Sequence, residues 1–409
     1  MRAGEIDRVR AQSLMQAARL DALVLFQPEH VAYAVGANPG VAGLFRRAGA
    51  ASALVPANPH SRLAAVMPDL TEAATRGAQA AVDFAYHRIW VDRATIDAKL
   101  ADESIRTLFN GSGATPRPTT FNSAAALALL AEQLKARGLE RGRLGLDLAF
   151  VPAADLADVR AALPQADLVN GTEVIQRLRM VKSEAEITKL RTAVQLSEAG
   201  LAKALDAIRP DITRSELSTL YGAAVREAAA LRGVQPGGLW DYISIGPDPW
   251  GAGRPAQSGD ILKFDVGVVI DGYSSDMART VALGKPHRAA RELHTALLTG
   301  LQAGLAALGP GVPLADVHGT MLRTVQACGV ADYARGHFGH GLGNDPFSEQ
   351  WPFIAADCPV IAEPGMVLAV EAPFYVDGLG GFIIEDQVLV TGSGLEVMST
   401  LPREFFCYG

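Results

Sequence analysis

The chain has 409 residues, 49% hydrophobic and 20% charged, a globular composition in a length that exceeds one ordinary core and so predicts two domains. A formal charge of -7, with no basic stripe, argues against an electrostatic grip on nucleic acid or on an anionic membrane surface. Cys328, Cys358 and Cys407 are few, scattered and odd in number, which fits a reducing compartment better than a disulfide framework. The N-terminus MRAGEIDRVRAQ has no apolar signal core, and runs such as DALVLF and AAALALLAEQL are too short to span a bilayer, so a cytoplasmic protein is expected.

Residues 1–20 carry helix-type spacing and lead into the strand-like run LDALVLF. Further short apolar runs, SALVP, RLAAVM, AAVDF and HRIWV, alternate with polar or helical segments. LGLDLAF, a predicted helix from Val151 to Leu163, and ADLVN continue the pattern, so residues 1–172 read as an α/β domain. Its histidines, His30, His60 and His87, are isolated, and are expected on the surface or in local hydrogen bonds.

From Glu173 the chain turns strongly helical, and Ser183 followed by Glu186 forms a capping-box pattern. One helix is therefore expected to end near Lys182 and another to begin there. Helices at Ser215–Arg232, Arg288–Leu308 and Leu314–Cys328 follow, interleaved with strands, giving an α+β domain over residues 173–409.

The chemistry-bearing residues fall in this second half, in the segments ILKFDVGVVIDGYSSDMART, RGHFGHGLG and AVEAPFYVDGLGGFIIED. The first reads as a hairpin turning at Asp271-Gly272, which puts Asp265 and Asp276 on one face, diagonally related. A slip of one residue would send them to opposite faces. The third segment turns about Gly378, and Glu371 and Glu385 then face each other across the ladder. Solvent-facing hairpin acids are the ordinary expectation for Asp and Glu. Here all four lie among apolar or small neighbours, in KFDVG, SSDMA, AVEAP and IIEDQ. Four carboxylates crowded in that way repel one another unless a cation neutralises them. GHFGHGLG adds His340 as a fifth ligand, while His337 is either a substrate or supporting group or a plain loop histidine. Four carboxylates and an imidazole suit two hard or borderline divalent cations, a site that activates water and clamps a substrate oxygen.

At these residues the chain resembles the pita-bread superfamily of methionine aminopeptidase, aminopeptidase P, prolidase and creatinase. The matches are FDVGVVIDGYSSDMART, GHGLG, EPGMVLAVE and GGFIIEDQVLV, in family order. The resemblance covers most of the chain and implies a pita-bread catalytic domain behind a creatinase/prolidase-type N-terminal domain. It further implies two divalent metals (Mn, Co, Zn or Fe), with Asp265 on one, His340 and Glu371 on the other, and Asp276 and Glu385 serving both. Activated water would attack a scissile carbonyl with Glu371 handling the proton. A homodimer whose small domain closes over the partner's site is also implied by resemblance alone.

The chain departs from the family's peptidases at three places. Trp250 stands in the stretch where a histidine is usual, Phe347 stands seven residues after His340 where another is usual, and Ile383 replaces an arginine. Loss of such electrostatic groups predicts weak ordinary peptidase activity. Trp240, Tyr242, Trp250, Phe347 and Trp351 are candidate pocket walls for a small substrate. Three readings follow. The first is a hydrolase of a C–N bond in a small, dipeptide-like compound of the Xaa-Pro kind. The second is a non-peptidase relative: a creatinase-like or ectoine-hydrolase-like ring opener, or a dimethylsulfoniopropionate-lyase-like eliminase, with Asp345 and His337 as spare acid/base groups. The third is a non-catalytic scaffold stapled by metal.

Overall fold

The short apolar runs of the first half become a six-stranded mixed sheet in the computed structural model, which describes residues 4–92, 116–251 and 253–409. Its strands are β1 (Ala22–Leu25), β2 (Ser52–Pro56), β3 (Leu63–Pro68), β4 (Val82–His87), β5 (Arg143–Leu146) and β6 (Asp167–Asn170). They lie in the order β4-β3-β2-β1-β5-β6. The β1–β2 and β2–β3 pairs are antiparallel, and β3–β4, β1–β5 and β5–β6 are parallel. Apolar side chains cover both faces, because alternate residues of β1 enter different cores. Leu23 and Leu25 pack with Ala11, Met15 and Val31, while Ala22 and Val24 pack with Leu127 and Leu130 of the helix Ser123–Lys135. Each fully buried leucine contributes roughly 1.5–3 kcal/mol. The run HRIWV is not a further strand. His87 ends β4, and Ile89, Trp90 and Phe121 form a small apolar cluster of their own. His30 Nδ1 lies 2.8 Å from Asp147 and His87 Nε2 lies 2.9 Å from the Ala50 carbonyl, both buried local bonds, while His60 is exposed.

One compact unit runs to Leu178 and the other from Arg179 to Gly409. The helix Thr172–Arg179 buries Val174, Ile175 and Leu178 in the first unit's core, so it stays with that unit rather than opening the second. Ser183 then caps the helix Glu184–Asp206 with the reciprocal Glu186 bond that its spacing predicts.

The second unit is built on one large sheet. Its strands are β7 (Gly238–Asp241), β8 (Ser244–Ile245), β9 (Ile261–Ile270), β10 (Tyr273–Ser274), β11 (Met277–Leu283), β12 (His337–Gly341), β13 (Gln350–Ala355), β14 (Val367–Glu371) and β17 (Glu385–Val390), with β18 (Leu395–Val397) and β19 (Cys407–Tyr408) at its margins. The main path runs β10-β9-β11-β17-β14-β12-β13. β15 (Phe374–Val376) and β16 (Gly380–Phe382) form the ribbon beyond β14 and β17. Leu262, Phe264, Val266 and Val268 of β9 pack with residues of the helices Glu184–Asp206 and Arg214–Leu231. Leu368 and Val370 of β14 and Val388 and Val390 of β17 pack with residues of the helices Arg288–Ala307 and Leu314–Ala327. Alternation puts Asp265 on the β9 face opposite the first set, and Glu371 and Glu385 opposite the second. Asp265 thus points away from the β9 face covered by the first helix pair, and Glu371 and Glu385 away from the face of β14 and β17 covered by the second.

Candidate metal centre

The first hairpin takes the register its turn dictates. Asp271 and Gly272 both have positive φ, 50° and 87°, as a tight primed turn requires, and Asp265 pairs with Ala278. Ser275 and Asp276 interrupt the ladder between β10 and β11. The Ser275 hydroxyl accepts a bond from the Val268 amide at 3.0 Å, so the break leaves that donor satisfied. Asp276 is buried, and its Oδ1 has no hydrogen-bond partner among the described residues. In the second hairpin Glu371 pairs directly with Glu385, and the same register continues through β15 and β16.

His340 arrives on β12, paired with Ala369 of β14. A regular strand sends residues three apart to opposite faces. Gly339, with φ of 142°, breaks that alternation, and the rings of His337 and His340 lie 6.2 Å apart on the same side. No other residue fits there: a Cβ at Gly339 would fall 2.1 Å from the Ala369 carbonyl oxygen.

These strands bring Asp276, His340 and Glu385 together, with ligand atoms all within 4.8 Å of one another. His340 Nε2 lies 3.7 Å from Asp276 Oδ2 and 3.8 Å from Glu385 Oε1. All three side chains are buried. Burial first, and then the neighbouring carboxylates, push the Asp276 and Glu385 carboxyls well above the usual range. Burial lowers His340 to about 4, so its imidazole is neutral and free to donate a lone pair. An orphaned carboxylate oxygen, two crowded acids and a neutral imidazole are the donor set a divalent cation needs, so the residues fit a metal ion at this point.

Glu371 and Asp265 stand beside that trio rather than inside it. Glu371 Oε1 accepts a bond from Arg335 Nη2 at 2.8 Å and lies 3.3 Å from His337 Nδ1. Burial raises its carboxyl to about 7, against the opposing pull of Arg335. Asp265, with 17% of its side chain exposed, lies 3.8 Å from the Lys263 ammonium. Burial raises it to about 6, with Lys263 opposing. His337 lies 3.8 Å from Glu349 and is itself lowered to about 4, mainly by burial and then by Arg335.

The aromatic candidates separate. Trp250 is 68% exposed and stacks on Tyr375 with ring centroids 4.3 Å apart. The stacked pair adjoins Lys263, whose Nζ lies 5.6 Å and 5.7 Å from the two ring centres and which stands two residues before Asp265 on the same face of β9. Trp240 packs its indole against Gly267 and donates to Ser274 Oγ at 3.1 Å. Tyr242 is 53% exposed and bonds through its amide to the Asp265 carbonyl, which ties the ligand strand to β7. Phe347 is 54% exposed, and Trp351 packs against the apolar cluster under β14. Ile383 is buried, and its amide and carbonyl both bond Thr280 Oγ1 at 2.9 Å. Asp345 pairs with Arg179 at 2.9 Å, outside the trio.

Sequence spacing missed three supports. Arg335 reaches Glu371 from the segment before β12, where no periodicity marks it. Lys263 is readable, since strand alternation places it beside Asp265, but an ammonium is not a metal ligand. Arg279 donates to the Glu385 carbonyl at 2.7 Å and pairs with the fully buried Asp386 at 2.8 Å, holding the backbone under the ligand.

Comparison with known proteins agrees with this architecture. The family model of the Metallopeptidase family M24 matches residues 188–392, and that of the Creatinase/Prolidase N-terminal domain matches residues 8–181. An uncharacterized peptidase of Staphylococcus aureus (strain bovine RF122 / ET3-1) is 30% identical over 230 residues, 55% of this chain and 64% of that protein, so the match spans less than two thirds of the relative's length. Among solved structures, the Xaa-Pro dipeptidase from Bacillus anthracis superposes with a TM-score of 0.77 at 20% identity, over 98% of both chains. The N-terminal domain of FACT complex subunit SPT16 from Cicer arietinum superposes with a TM-score of 0.70 at 15% identity, over 98% of both chains. At such identities the likeness concerns the fold, which does not by itself assign an activity. The motifs, the paired carboxylate hairpins and the match over residues 188–392 lead to one conclusion: the chain belongs to the Metallopeptidase family M24.

Proposed function

We propose that the protein is a metal-dependent hydrolase that cleaves a C–N bond in a small substrate of the Xaa-Pro dipeptide type. The observation that carries this reading is the buried convergence of Asp276, His340 and Glu385, one oxygen of which has no hydrogen-bond partner among the described residues. A divalent cation held there would act as a Lewis acid toward a substrate oxygen and lower the pKa of water. The protein's own residues do the remaining work. Glu371, raised to about 7, is poised to take a proton from the attacking water and to return it to the leaving nitrogen. Arg335 fixes that carboxylate in one orientation through its 2.8 Å bond. His337, neutral and 3.3 Å from Glu371, is a second neighbour of that carboxylate. The stacked Trp250 and Tyr375 rings offer an apolar wall suited to a compact ring such as a pyrrolidine. The scattered free cysteines fit a reducing compartment.

A second reading, ring opening or elimination on a small non-peptide compound, draws support from Trp250, Phe347 and Ile383, apolar residues where family peptidases carry polar ones. A panel of Gly-Pro, Ala-Pro, small cyclic amides and betaines, assayed with Mn, Co, Zn and Fe, separates the two. Proline release from the dipeptides is the expected result. Turnover confined to the cyclic amides or betaines would replace the first reading with the second.

A further inference from the structure

We propose that this centre holds one cation tightly, between Asp276, His340 and Glu385, and that the ammonium of Lys263 supplies the second positive charge where a second metal ion would otherwise sit. The inference rests on the metal-centre reading above and goes beyond it by fixing the number of ions.

Two independent observations carry it. The first is the grouping of donors. Of the five ligand-type side chains, only Asp276, His340 and Glu385 offer atoms that all lie within 4.8 Å of one another. Glu371 is bonded to Arg335 at 2.8 Å and Asp265 is paired with Lys263 at 3.8 Å, so each outlying acid has a basic partner from the chain itself.

The second is how Lys263 is housed. It belongs to β9, two residues before Asp265, and its side chain is 2% exposed. Its Nζ lies 3.8 Å from the Asp265 carboxylate, and 5.6 Å and 5.7 Å from the ring centres of the stacked Trp250 and Tyr375. Burial lowers the Lys263 ammonium from its ordinary value, and the Asp265 carboxylate is the main pull that opposes this and keeps the charge in place. An ion bound through Asp265 would face this fixed positive charge at a few ångströms. In a poorly solvated setting that repulsion weakens binding by on the order of 100-fold or more. The Lys263 charge also reaches Glu385, but less strongly than Asp265, and among the described residues no Lys or Arg forms an ion pair with the trio.

Metal content and binding test this. Purified wild-type protein, dialysed and then analysed by inductively coupled plasma mass spectrometry, is expected to retain about one ion per chain. Calorimetric titration of the metal-depleted protein with Mn²⁺ should give one tight phase and a second at least about 100-fold weaker. Lys263→Met should bring the second phase to within about tenfold of the first and raise retention toward two ions. Lys263→Arg, which keeps the charge, should behave as wild type. Two equally tight ions in the wild-type protein would overturn the proposal, whatever the variants do. So would a Lys263→Met protein that is folded by circular dichroism and still binds one ion. Absence of binding in every protein would overturn the metal-centre reading as well, so the two failures are distinguishable.

Discussion

Replacing Asp276 by asparagine should stabilise the metal-free protein and remove most of the stabilising effect of metal. The carboxylate is buried, has no partner for Oδ1 among the described residues, and sits among acids raised by burial and mutual repulsion. The scale of that cost can be read from Glu371, whose carboxyl moves from 4.5 to about 7, equivalent to about 3 kcal/mol above neutral pH. Asparagine keeps the shape and removes one of the like charges. Metal-free Asp276→Asn protein at pH 8 should therefore be more stable than metal-free wild type by about 1–3 kcal/mol, a melting rise of roughly 2–10 °C for a unit of this size. Wild-type protein given Mn²⁺ at about 100 times its dissociation constant should gain about 2.7 kcal/mol, or roughly 5–10 °C. The variant should gain less than about 2 °C, because one of three donors to the cation is lost. Differential scanning fluorimetry after chelation, with and without Mn²⁺, reads both effects. A variant that melts below wild type without metal, and still rises on adding it, would refute the reasoning.

Two further outcomes follow from the same geometry. Without metal, stability should fall as pH rises from about 6.5 to 8, by on the order of 1 kcal/mol per titrating carboxylate. Glu371 contributes in that direction because its folded pKa, about 7, lies above its unfolded value: the stabilising protonated form is complete at low pH and is lost through about 7. His337 and His340, lowered to about 4, oppose this only below about 6.5, where the unfolded imidazoles begin to bind protons. Metal-loaded protein should be flat over the same window, and urea melts at several pH values compare the two. Gly339→Ala should cost several kcal/mol and reduce metal retention, since its Cβ would fall 2.1 Å from the Ala369 carbonyl and displace the strand that carries His340. Chemical denaturation and metal analysis of one preparation would settle it, and near-wild-type values in both would contradict the assigned role.

Much of the site was legible because local turn chemistry fixes distant side chains. An Asp-Gly turn with two positive φ angles leaves β9 and β11 one pairing, which sets Asp265 on a known face. A ribbon symmetric about Gly378 makes Glu371 oppose Glu385. The apolar contexts of the acids, and the capping box at Ser183, read as directly. What spacing does not carry is the break in alternation at Gly339, where the backbone angle and the register shift against β13 bring His337 beside His340. Nor does it carry Arg335, a residue outside any periodic element whose contact depends on how the chain enters β12. The run HRIWV misleads for a related reason: apolarity marks burial, and Ile89 satisfies it in a local cluster instead of a strand. The five aromatic residues show the limit of residue type as a signal. Trp250 adjoins Lys263, whereas Trp351 packs into the apolar layer and Phe347 is largely exposed.

Anomalous diffraction from crystals of the protein soaked in Mn²⁺ tests the central claim most directly. A strong peak is expected, enclosed by Asp276 Oδ1 or Oδ2, His340 Nε2 and a Glu385 carboxylate oxygen. Electron density with those three side chains as they stand here, and no anomalous peak among them at saturating metal, would contradict it.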